Sequence, residues 1–115
     1  MDKKEMQVWF DKMFKGLDLE CKNVFGNPTW LCNGNMFAKI EKEKFVLRLS
    51  QDDKAALMAA IPAVEKYIMF NGMHGKDYVT FGADLCKREA DLAPYIKKGF
   101  ATIQKLPAKV KEEKK

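Results

Sequence analysis

The chain has 115 residues and a formal net charge of +5 at pH 7. That length is the natural size of one domain, and no apolar run in it approaches the roughly 20 residues that a membrane-spanning helix needs. The opening Met1-Asp2-Lys3-Lys4-Glu5 is of mixed charge rather than apolar, so it does not read as a signal peptide and the expected location is the cytoplasm.

Met6, Trp9, Phe10, Met13, Phe14 and Leu17 recur at three- and four-residue intervals, which is the apolar stripe of an amphipathic helix. Asp2 stands near its start and Gly16 near its end, as capping asks. Asp18 and Glu20 then read as a surface loop, and Phe25-Gly26-Asn27-Pro28 punctuates the chain. Two β-rich runs, Thr29–Cys32 and Met36–Ile40, flank Asn33-Gly34, the strongest short-range hairpin signal, because both turn residues must take positive φ. After Glu41-Lys42-Glu43-Lys44, the residues Phe45, Leu47 and Leu49 alternate on one face of a third strand, with Arg48 on the other.

Ser50, followed by Asp52 and Asp53, caps a second helix that runs through Lys54–Ala60 to Pro62. Tyr67–Phe70 and Tyr78–Phe81 are two further strands around the turn-rich Gly72-Met73-His74-Gly75-Lys76. A last helix begins between Glu89 and Asp91 with Pro94 in its first turn, buries Leu92, Ile96, Gly99, Ile103 and Leu106, and stops at Pro107. The order α-β-β-β-α-β-β-α predicts an α+β domain of two layers. Its sheet has about five mainly antiparallel strands, with the helices on one face. Residues 1–107 form this domain, and 108–115 are a basic tail too polar to pack.

Chemistry-bearing motifs are few. Cys21, Cys32 and Cys86 form no Cys-x-x-Cys pair, and His74 is the single histidine, so neither a structural metal site nor a Cys–His nucleophile is expected. Unpaired thiols suit a reducing cytosol. The Gly72 to Lys76 stretch lacks the spacing and the Ser/Thr of a phosphate-binding P-loop. Its Gly-x-x-Gly spacing matches the clamp of KH domains, but it joins strands rather than helices. No paired carboxylates or nucleophile elbow stand out, so the sequence implies no enzyme, catalytic residue, metal or cofactor. Residues 97–115 hold seven lysines against two glutamates, the whole of the +5 excess. Lys97, Lys98, Lys105, Lys109 and Lys111 are therefore the candidate contacts to nucleic acid, weighed against a solvated helix end that suits the helix dipole.

The run Val24-Phe25-Gly26-Asn27-Pro28-Thr29-Trp30-Leu31-Cys32-Asn33-Gly34-Asn35-Met36-Phe37 resembles the signature of the TfoX N-terminal domain family. The Gly72–Gly75 turn, the Tyr78-Val79 strand and the ending from Asp91 to Pro107 are similar to standalone members. Val24 stands for a usual methionine and Asn27 for a second glycine. More distantly the chain resembles the YjbR-type double-wing proteins. The resemblance implies a two-layer α+β fold like that of secretion chaperones, with Phe25, Gly26, Gly34, Met36, Phe37, Gly72 and Gly75 in structural roles. It also implies a bacterial, cytoplasmic, non-enzymatic regulator linked to transcription or competence. Such a regulator acts by protein contact, self-association included, and DNA binding is the alternative.

Overall fold

The structure, a computed structural model, describes residues 2–68, 72 and 74–107, with the backbone alone of His74. Asp2 opens helix α1 (Lys3–Met13) with a reciprocal cap: its carboxylate accepts from the Glu5 N–H at 2.8 Å, and its own N–H donates to Glu5 Oε1 at 3.0 Å. Four strands follow as an antiparallel meander, β1 (Glu20–Val24), β2 (Asn27–Cys32), β3 (Asn35–Glu41) and β4 (Lys44–Arg48). The turns between them are Phe25-Gly26, Asn33-Gly34 and Lys42-Glu43, all six residues at positive φ, the conformation whose twist matches the strands.

Helix α2 (Gln51–Ala60) starts where Ser50 Oγ accepts from the Asp53 N–H at 3.1 Å and ends before Pro62. Strands β5 (Glu65–Ile68) and β6 (His74–Phe81), a short 3₁₀ helix at Ala83–Arg88 and helix α3 (Glu89–Gln104) complete the chain. The strand order is β1-β2-β3-β4-β6-β5, with every neighbouring pair antiparallel.

The α+β architecture is as the sequence predicts, with one strand more. The sheet has six strands rather than about five, because Glu20–Val24 is a strand, Glu20 included, where the sequence reads as a surface loop. Of the punctuating Phe25-Gly26-Asn27-Pro28 only Phe25-Gly26 turns, while Asn27 and Pro28 begin β2. β1 escapes the pattern because only Lys22 in it is even half-buried, and alternation of apolar and polar residues arises only where one face is covered. His74 begins β6 instead of sitting in the turn, and the expected strand residues Met69 and Phe70 lie outside the described residues.

All three helices pack on one sheet face, α1 against β3, α2 against β6, and α3 against β3 and β4. Trp30, Ala38, Ile40, Phe45, Leu47, Val79 and Phe81 point into this layer. Phe10 from α1 reaches the middle of it, with its ring 4.6 Å from Phe45 and 5.1 Å, edge-on, from Trp30. The register shifts opposite Trp30/Leu31, leaving Phe37 unpaired between Ala38 and Met36. This bulge turns Phe37 to the same side as Ala38, where its ring meets Phe14 at 5.3 Å and Phe100 at 6.0 Å. Gly99 lets α3 settle on this spot: a Cβ there would stand 2.7 Å from the Arg48 carbonyl oxygen and 2.9 Å from Leu49 Cδ2.

Lys54 and Gln51 fasten α2 to the far hairpin. Lys54 is buried, and its Nζ donates to the Lys76 carbonyl at 2.8 Å, where Gln51 Nε2 also donates at 2.8 Å. Desolvation holds the Lys54 pKa below its ordinary value, only partly offset by Asp77. Gly99→Ala should lower the unfolding free energy by about 1–3 kcal/mol, the range for overpacking a tight contact. An unchanged urea midpoint would show that α3 can move outward without loss.

Candidate functional site

Among the described residues no helix covers the second face of the sheet, yet Val46 on that face is only 1% exposed and Thr29 and Thr80 are buried. Tyr67 explains part of this. Register breaks between Lys66 and Ile68, and Tyr67 has no cross-strand partner. Its side chain crosses β6 and β4 and donates from the hydroxyl to Glu41 Oε1 on β3 at 2.7 Å. Three strand spacings in a flat sheet come to about 14 Å, so twist and the irregular edge must curl the sheet. Lys39 closes the network, with Nζ 3.4 Å from Glu41 Oε2 and 5.0 Å from the centre of the Tyr67 ring. Gly75 makes room for this: a Cβ there would lie 3.0 Å from Tyr67 Cδ2 and 3.3 Å from Tyr78 Cδ2.

Beside the network runs a groove of about 390 Å³ bordered by Glu41, Lys44, Val46, Glu65, Tyr67 and Thr80. Lys44 and Glu65 face each other across it at 3.4 Å, and Thr80 Oγ1 donates to the Phe45 carbonyl at 2.9 Å. Burial raises the Tyr67 pKa; Lys39 pulls it back and the Glu41 carboxylate pushes it up again. Desolvation works against the Lys39 ammonium, but Tyr67 and Glu41 outweigh it and its pKa is raised too. No residue of this network was singled out by sequence. Its signal was there only as Lys39, Glu41 and Tyr67 on the polar side of the alternation.

The opposite end of the sheet has a different character. Phe25 is 98% exposed at the tip of the β1–β2 hairpin, with φ at 51°. β1 is an edge strand. Cys21 on it is exposed and accepts a 3.8 Å contact from Gln7 Nε2 of α1. Next to it, Trp30 Nε1 donates to Asp11 Oδ1 at 3.0 Å and pins α1 to β2.

The other residues marked by sequence disperse. Gly26, Gly34 and Gly72 take positive φ, Met36 is half-buried, and Phe37 is in the core. Lys97 and Lys98 are exposed on α3, with Lys98 Nζ 5.5 Å from the Tyr95 ring centre, and Lys105 is exposed at its C-terminal cap. Lys109 and Lys111 lie outside the described residues. The thiols lie apart, and each has a raised pKa: burial first, then Asp11 for Cys21, Asp18 for Cys32, and Glu89 and Asp84 for Cys86. That keeps them in the protonated, weakly nucleophilic form.

Compared with known protein families, with curated proteins and with solved structures, the chain has no match.

A group whose pKa is raised on folding adds stability below its ordinary pKa and loses it as pH rises through the raised value. For Tyr67 and Lys39 that loss begins near pH 10. Tyr67→Phe should therefore cost about 1–2 kcal/mol at pH 7 and flatten the decline in stability above about pH 10. Denaturation midpoints across that range read both effects. An equal decline in the variant would place the alkaline sensitivity elsewhere.

Proposed function

We propose that the chain is a cytoplasmic adaptor or regulatory domain that works through protein–protein contact. This is the role implied by its resemblance to the TfoX N-terminal domain family, with transcription or competence control as the setting. Phe25 carries the reading. A phenylalanine fully in water forgoes about 1.5–3 kcal/mol of burial, and an L-residue in the left-handed region costs roughly 1–2 kcal/mol more. Asparagine suits the same turn position, as Asn33 does one hairpin later. Among the described residues nothing covers the Phe25 ring to offset these two costs. A partner that buries the ring supplies the missing term, and aromatic anchors of this kind dominate protein interfaces. The protonated bias of the three thiols also favours binding over nucleophilic chemistry.

Phe25→Asn separates fold from function. The variant should be more stable by about 1 kcal/mol while losing capture of its partner from cell extract. Capture equal to that of the parent chain would overturn the adaptor reading.

Lys97, Lys98 and Lys105 support the second reading, contact with nucleic acid, since all three are exposed and form no salt bridge among the described residues. If that reading holds, labelled duplex should bind at low salt, and its affinity should fall steeply as salt rises. The triple change of these lysines to glutamine should weaken binding at least about tenfold. Absence of binding at low ionic strength rejects the reading.

A further inference from the structure

The two edges of the sheet are not equally protected. β5 is four residues long, irregular in register and carries Lys66, the usual devices that stop an edge from recruiting another strand. β1 pairs with β2 in unbroken register over all five of its residues. Alternate residues of an antiparallel strand turn their N–H and C=O groups to opposite sides, so those of Cys21 and Asn23 face outward. The first three residues of β1 are Glu20-Cys21-Lys22, and the two charged side chains project on the same face, Lys22 Nζ 3.6 Å from Glu20 Oε2.

We propose that β1 pairs antiparallel with β1 of a second copy of this chain, about a two-fold axis at Cys21. The proposal rests on reading this end of the sheet as a protein-contact surface and names the partner. The argument is self-complementarity. In this register Glu20 of each copy lies directly opposite Lys22 of the other, and Cys21 opposite Cys21. Opposite charges in such facing positions are favourable and like charges unfavourable. A register shifted by one residue brings Lys22 against Cys21 and forfeits the charge pairing. The result is one continuous sheet across both copies, with the same patch used on each side.

Charge reversal tests the register without touching the core. The parent chain should dimerise with concentration in sedimentation velocity, and a short bismaleimide should join it through Cys21, with Cys21→Ser as the unlinked control. Glu20→Lys alone places Lys opposite Lys, and Lys22→Glu alone places Glu opposite Glu. Each should weaken the dimer by about tenfold. Mixing the two variants restores every opposite pair, so the mixture should form heterodimers about as well as the parent chain forms homodimers. A parent chain that stays monomeric, single variants that dimerise like the parent, or a mixture that fails to associate would each overturn the proposal. If the chain is monomeric throughout but Phe25→Asn still abolishes capture of another protein, the second copy is wrong and the adaptor reading stands. If Phe25→Asn also changes nothing, both readings fall.

Discussion

The contact on which the molecule depends is that of Phe10 with Phe45 and Trp30. One side chain from a helix of 11 residues meets the middle of the sheet and ties β2 and β4 to the same point. Phe14 extends this stack to Phe37, and Phe45 extends it to Phe81. Aromatic faces and edges prefer such tilted arrangements, so the stack fixes the angle at which α1 lies as well as its depth. Asp11, hydrogen-bonded to the Trp30 indole, and Lys12, paired with Glu89 at 3.0 Å, then hold the flanks of α1 against β2 and the start of α3. The Lys12 partnership also keeps the Glu89 carboxyl below its ordinary pKa.

Putting every helix on one face has a consequence for the other. A sheet with a wholly open face exposes half its side chains, and this one answers with a small covered patch of its own. Val46, Thr29 and Thr80 are buried there, and Tyr67, Glu41 and Lys39 form a bridge from the edge strand to β3. The bridge uses partly screened charges, so its contribution is modest beside that of the aromatic core. What it adds is curvature: an edge strand held to β3 cannot lie flat, and an irregular, curled edge does not invite another strand.

Among the described residues the opposite edge has no such closure. Phe25 sits in water on a turn that disfavours it, next to the edge strand β1. Three turns of one backbone type join the first four strands, and they differ in how well their residues suit them. Asn33-Gly34 suits its turn, while Phe25 and the pair Lys42-Glu43 occupy the left-handed region without the residues that tolerate it best. That cost, carried by an exposed aromatic, is the ground of the proposed protein-contact role.

The elements that sequence determined are those whose signal is local. Asp2 and Ser50 cap the helices they precede, Asn33-Gly34 turns, Phe45, Leu47 and Leu49 alternate into the core, and Leu92, Ile96, Gly99 and Ile103 form one buried stripe. Each of these follows from a period or a dihedral requirement contained within a few residues. Tertiary structure decided the rest. Glu20–Val24 is a strand because β2 pairs with it, which no polarity pattern announces at a sheet edge. Phe37 joins the core because a bulge reverses its side, and Tyr67 meets Glu41 because the sheet curls through three strand spacings. The same holds for the exposure of Phe25. These are relations between residues distant in the chain or between edge and solvent, and a linear sequence has no period that encodes them.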